Sequence, residues 1–130
     1  MLVSDPPWAI ILFRRNIEKV SQVARLVREI REIPGPPLLC VDQEGGPVDR
    51  FRDLLAPSIS FSRAAAAGRA RRAVELAGEI CARFGIAIDL APVVDRALPD
   101  AGEEGLGERT AGKDAEAVAE AAGEFLEGLQ

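Results

Sequence analysis

A chain of 130 residues that is 48% hydrophobic and 28% charged has the composition of about one packed domain and argues against disorder. Its net charge of −5 argues against sequence-independent nucleic-acid binding, which needs a basic field to neutralise phosphates, and favours a small neutral or polar partner. With 5% aromatic residues and no Tyr, the core must be built mainly from Ala, Val, Leu and Ile, which favours helices packed on a parallel sheet.

In chain order, Trp8 to Phe13 is a short apolar run after Pro6 and Pro7 and predicts a strand buried on both faces. It is far shorter than the ~20 residues of a membrane span. No basic segment precedes it, so neither a membrane partner nor a signal peptide is expected, and the expected location is the cytoplasm. From Asn16 the period changes: Ile17, Val20, Val23, Ala24, Val27 and Ile30 recur at helical spacing until Pro34, Gly35, Pro36 and Pro37 stop the helix. Leu38 to Val41 predicts the second buried strand.

Residues 42–63 carry Gly45, Gly46, Pro47 and Pro57 and predict a long loop with at most a short helical turn. Ala73, Leu76, Ala77, Ile80 and Phe84 form the apolar face of the next helix, and Gly85 stops it. Ile86 to Val94 predicts the third strand region, ending near Pro92. A second long loop follows over residues 95–112, with Gly102, Gly105, Gly107 and Gly112. The last helix has its stripe at Val118, Ala121, Ala122, Phe125, Leu126 and Leu129. The order β-α-β-α-β-α implies right-handed crossovers and a parallel sheet, shared by barrels and open doubly wound folds. Cys40 and Cys81 form no Cys-x-x-Cys pattern and read as buried, reduced thiols. Arg63, Arg69, Arg71 and Arg72 read as a solvated face.

Asp42 to Arg50, and Asp95 to Arg109, follow strand ends, the edge where parallel α/β folds bind ligands. Asp42 and Glu44, two apart beyond a buried strand, cannot both face the core without a large desolvation cost. Either at least one points into a polar site, or the Gly45-Gly46 segment is a structural turn capped by a carboxylate. Arg50 lies far enough along to fold back towards Asp42. It suits a sugar hydroxyl held jointly with a carboxylate, and equally a salt bridge that pins the loop. Asp42 with Asp95 is the only plausible glycosidase pair in the chain, and no spacing supports it. Gly107 to Lys113, GERTAGK, matches seven positions of a P-loop but has Asp114 where a magnesium-binding hydroxyl belongs, and no strand leads directly into it, which argues against nucleotide binding.

Taken together, ILFRRNI (Ile11 to Ile17), VDQEGGPVDRFR (Val41 to Arg52), LAPVVD (Leu90 to Asp95), GERTAG (Gly107 to Gly112) and the terminal GLQ resemble the motifs of family 3 glycoside hydrolases of the β-N-acetylglucosaminidase type. The resemblance implies an α/β fold that is part of a (β/α)₈ barrel, about three βα units with parallel strands. Residues 1–130 then form an incomplete N-terminal segment of the catalytic domain. It also implies retaining hydrolysis that releases terminal β-linked N-acetylglucosamine, as in peptidoglycan recycling. Position by position, Asp42 corresponds to the carboxylate that binds hydroxyls of the terminal sugar, and Arg50 and Arg109 to the arginines that help hold it. Glu44 and Asp95 are expected to support the site from outside it. Pro47 stands where Arg is usual, and Thr110 and Ala111 replace a Ser-Phe pair.

The resemblance places the acid/base His of a Lys-His motif and the nucleophilic Asp beyond the matched segment, and this sequence contains no His. No catalytic residue, cofactor or metal ligand is therefore expected within the chain, which alone is expected to be inactive. Its expected partners are a small carbohydrate and either the missing half of the barrel or a second copy. The alternative is a non-catalytic carbohydrate-binding or dimerising module derived from such an enzyme.

Overall fold

The computed structural model describes residues 7–97 and 106–129. Three strands, β1 (Ala9–Ile11), β2 (Leu38–Val41) and β3 (Ile88–Asp89), form one parallel sheet in the order β1-β2-β3. Ala9, Ile10 and Ile11 stand opposite Leu38, Leu39 and Cys40, and Cys40 and Val41 opposite Ile88 and Asp89. Between and after the strands run α1 (Val20–Arg31), α2 (Phe61–Ala66), α3 (Ala70–Phe84) and α4 (Ala115–Leu129). This is the parallel α/β arrangement expected from the alternating apolar runs and helical periods. Gly102 and Gly105 of the predicted second loop, and Gln130 of the terminal motif, lie outside the described residues.

Several boundaries differ, each for a local reason. Trp8 is 95% exposed, and β1 is not buried on both faces: Ala9 and Ile11 are exposed while Leu12 is buried. Phe13 has left the sheet, because its N–H donates to Asn16 Oδ1 at 3.0 Å and closes a 3-10 turn over Arg14–Asn16. That turn delays α1 to Val20. The third strand shrinks to Ile88–Asp89, since after Leu90 donates to the Val41 carbonyl (2.7 Å) the chain reaches Pro92, which has no N–H to continue the ladder.

The core has two centres. Leu12, Leu39 and Val41 of the sheet layer pack with Val23, Val27 and Ile30 of α1 and with Phe51, Cys81 and Ile86. Each such aliphatic side chain contributes about 1.5–3 kcal/mol when fully buried. Phe51 and Phe84 stack there with ring centroids 5.3 Å apart. The second centre joins α2, α3 and α4 through Phe61, Ala70, Val74, Ala121 and Phe125, with Phe61 and Phe125 edge to face at 5.2 Å.

The buried stripe of α3 is Ala70, Val74 and Cys81, and Leu76 is exposed. Of the predicted face, Ile80 and Phe84 pack against the first centre, and Leu76 alone is exposed. The helix is turned towards α4, where Gly78 meets Leu129 and a Cβ on Gly128 would lie 3.0 Å from Val74 Cβ. Leu126 of α4 is likewise exposed, outside the stripe of Val118, Ala121 and Phe125. Gly85 ends α3 with φ of 70°, its N–H donating to Ala82 O (3.0 Å) and that of Ile86 to Cys81 O (2.8 Å). Cys40 and Cys81 are buried and free. Arg63, Arg69, Arg71 and Arg72 are exposed, with Arg71 and Arg72 paired to Glu75. No described helix is long and apolar enough to cross a membrane.

Candidate functional site

The parallel strands all end on one edge, and the charged side chains gather there. Past Val41 the alternation of an extended chain persists: Gln43 is buried, while Asp42 and Glu44 on the opposite side are only partly so. Gln43 anchors the loop. Its N–H donates to Asp89 Oδ1 (2.8 Å), its Oε1 accepts the Arg50 N–H (2.8 Å), and its Nε2 donates to Asp49 Oδ1 (3.0 Å) and Ser58 Oγ (3.3 Å). Buried Asp49 also accepts the N–H groups of Phe51 (3.2 Å) and Ser58 (2.8 Å). Gly45 and Gly46 make the return possible, with φ of 75° and 58°. A Cβ on Gly45 would sit 2.2 Å from Ile59 O.

Two guanidinium–carboxylate forks stand on this frame. Arg50 Nε and Nη2 donate to the two oxygens of Asp42. Arg109, carried by a 3-10 turn at Gly107–Arg109, donates from Nε and Nη2 to both oxygens of Glu44, each at 2.8 Å. The hydrogen bonds to Asp42 and to Glu44 raise the already high pKa values of Arg50 and Arg109, against the cost of burial, so both stay charged. Arg50 also lies 5.5 Å from the centroid of the Phe13 ring, whose face attracts a cation. At the neighbouring rim, Arg14 donates to both oxygens of Asp53, at 2.6 and 2.7 Å.

The fold thus brings together four of the residues singled out in the sequence: Asp42, Glu44, Arg50 and Arg109. Of the two readings of Arg50, the fork to Asp42 supplies the salt bridge that pins the loop. Asp95 is exposed and makes no hydrogen bond or ion pair with the described residues, but its negative charge reaches Arg109 and helps to raise the pKa of that guanidinium. Asp114 Oδ1 accepts the Ala117 N–H (2.9 Å) at the start of α4, so this carboxylate occupies the helix end that a P-loop leaves to phosphate. Among the described residues no three His, Cys, Asp or Glu side chains converge as a metal site.

Gln43, Asp49 and Asp89 were not singled out by sequence. Asp89 left a signal, a lone acid inside the apolar stretch Ile86 to Val94, where an unpaired charge is expensive. Burial pushes its pKa up to about 6, opposed by the N–H groups of Gln43 and Ala91 and reinforced by the charges of Asp42 and Glu44. Its Oδ2 is buried without a hydrogen-bond partner among the described residues.

The family model for the glycosyl hydrolase family 3 N-terminal domain matches residues 7–130. A protein named beta-hexosaminidase from Xanthomonas campestris pv. campestris is 36% identical over 138 residues, covering 98% of this chain and 41% of that protein. The chain thus spans well under half the length of the curated relatives it matches. Among solved structures, a glycoside hydrolase family 3 beta-N-acetylglucosaminidase from Paenibacillus sp. superposes with a TM-score of 0.87 at 32% identity, over 99% of this chain and 26% of that one. Native NagZ from Neisseria gonorrhoeae superposes with a TM-score of 0.76 at 28% identity, over 98% of this chain and 40% of that one. The three-stranded parallel sheet with its helices matches the N-terminal barrel part of these neighbours.

Proposed function

The chain belongs to the glycosyl hydrolase family 3 N-terminal domain family, and from that membership we propose that Asp42, Arg50 and Arg109 form the pocket for the terminal sugar of a β-linked N-acetylglucosaminide. The observation that carries this reading is the meeting of two carboxylate–guanidinium forks at one strand edge. Each carboxylate oxygen engaged by one N–H keeps a second lone-pair direction, and each guanidinium keeps further donors, so a hydroxyl can donate to one group and accept from the other. Two carboxylates matched by two guanidinium groups carry no net charge, which suits an uncharged polyol better than a phosphate.

On this reading the protein is a cytoplasmic hydrolase of retaining type that releases N-acetylglucosamine in peptidoglycan recycling. Its relatives named beta-hexosaminidase and beta-N-acetylglucosaminidase support the hydrolase and its N-acetylglucosaminide substrate; the retaining course, the cytoplasm and peptidoglycan recycling rest on the sequence reading. Asp42, Arg50 and Arg109 hold and orient the sugar and are not assigned to bond cleavage. Retaining chemistry needs two carboxyl groups about 5 Å apart across the scissile bond. Asp42 and Glu44 instead leave one strand on one side, each committed to a guanidinium.

The test is a titration of the chain with N-acetylglucosamine, followed by NMR of the arginine Nε–H groups. Saturable shifts at Arg50 and Arg109 are expected, with affinity at least about tenfold weaker in Asp42→Ala, the usual loss for a hydrogen bond to a charged group. Unchanged binding in that variant overturns the assignment. A second reading is favoured by the exposed apolar residues Trp8, Ile11 and Leu38: the sheet closes against another surface, either the rest of the barrel or a second copy. Sedimentation velocity checks this, with a concentration-dependent dimer of the 13.9 kDa chain expected for the second copy.

A further inference from the structure

Asp89 stands opposite Val41 in the parallel pair, one residue before Asp42, and it accepts the N–H of Gln43 at 2.8 Å. That N–H belongs to the one residue between the two fork carboxylates. Gln43 is pinned at its side chain by Asp49, Ser58 and the Arg50 N–H, so the Asp89 contact completes its restraint from the backbone side. We infer that Asp89 is the positioning residue of the edge: by holding the Gln43 N–H it fixes the direction in which Asp42 and Glu44 leave β2. Its consequence for sugar binding rests on the reading of the edge as a sugar pocket, whereas its hold on Gln43 does not.

The geometry also makes this hold sensitive to protonation. The ionisable groups that face Asp89 are Asp42 and Glu44 from the loop after β2 and the Cys81 thiol from α3. None is a cation, and the guanidinium groups of Arg50 and Arg109 are taken by Asp42 and Glu44. An ionised Asp89 therefore adds a third negative charge where the site has two balanced pairs. The ionised carboxylate grips the N–H groups of Gln43 and Ala91 more tightly, while burial and the charges of Asp42 and Glu44 favour the protonated form, so the hold on Gln43 changes as Asp89 titrates.

Two variants separate the contact from the charge. Asp89→Asn keeps an acceptor oxygen and mimics the protonated form, while Asp89→Ala removes the acceptor. In the ¹⁵N-labelled chain the Gln43 amide shift is expected to follow one step between about pH 5 and 7, and this step is expected to vanish in Asp89→Asn. Affinity for N-acetylglucosamine is expected to stay near the parental value in Asp89→Asn, which keeps an acceptor, and to be about tenfold weaker in Asp89→Ala. The same Gln43 step in Asp89→Asn, or parental affinity in a folded Asp89→Ala, overturns the inference. If the parent shows the step but binds no sugar at any pH, the sugar-pocket reading fails and the positioning of Gln43 stands.

Discussion

Arg109 and Glu44 are 65 positions apart in the chain and meet through two parallel hydrogen bonds of 2.8 Å, joining the turn before α4 to the loop after β2. Glu44 is nearly buried in this pair, with its side chain 10% exposed, while Arg109 is about a third exposed. The partners are therefore unequal: removing the arginine strands a desolvated carboxylate, whereas neutralising the glutamate leaves a guanidinium that water can reach.

Arg109→Ala is accordingly expected to lower the unfolding free energy by about 1–3 kcal/mol, the cost of orphaning a buried acceptor. Glu44→Gln, which keeps one acceptor oxygen, should cost less than half as much. Urea denaturation of the two variants beside the parent checks the order. Equal losses would mean that Glu44 is solvated in solution.

Gly45 and Gly35 both hold positive φ, at 75° and 66°, but their surroundings differ. A Cβ at Gly45 would collide with Ile59 O at 2.2 Å, while nothing lies within 4 Å of one at Gly35. Gly35→Ala should therefore show only the backbone cost of about 1 kcal/mol. Gly45→Ala should lose distinctly more and should also shift the Asp42 and Glu44 resonances, because the loop must move. Thermal unfolding of the pair checks this, and equal melting points would contradict the close approach at Ile59.

These residues also mark how far the sequence could be read. The parallel sheet was visible because Trp8 to Phe13, Leu38 to Val41 and Ile86 to Val94 are short apolar stretches separated by helical periods, but spacing alone left barrel and doubly wound folds open. The forks were half visible: Asp42, Glu44 and Arg50 lie close together, but only the resemblance linked Arg109 to them across 65 positions. Gln43 and Asp49 gave no signal, since their role is to satisfy each other and backbone groups that become neighbours only after folding. On α3 the sequence was read in part. Ile80 and Phe84 of the predicted face pack against the first centre, but Leu76 is exposed and Ala70, Val74 and Cys81 are the buried residues, since periodicity alone cannot rank adjoining apolar stripes.

Cys81 supplies a pH test of packing in the first centre. Burial, with the Asp89 charge adding to it, pushes its thiol from 9.0 up to about 12. The folded chain thus holds this proton more tightly than the unfolded one. The associated stability is fully present below about pH 9 and is lost as pH rises towards 12. The fall in unfolding free energy from pH 8.5 to 10.5 should be shallower in Cys81→Ala than in the parent, measured by urea denaturation at each pH. Parallel slopes would mean that water reaches the thiol.

Register in a parallel sheet is passed on to everything that leaves the strand ends, and between β2 and β3 it rests on the pairs Cys40 with Ile88 and Val41 with Asp89. A slip of one position would bring Ile88 or Leu90 beside the turn at Asp42, presenting an alkyl chain to a backbone N–H that needs an acceptor. The Asp89 carboxylate thus acts as an alignment mark for folding. It gives a two-rung pairing, too short to be selective by hydrophobic pattern alone, a chemical check that only one alignment of the strands satisfies.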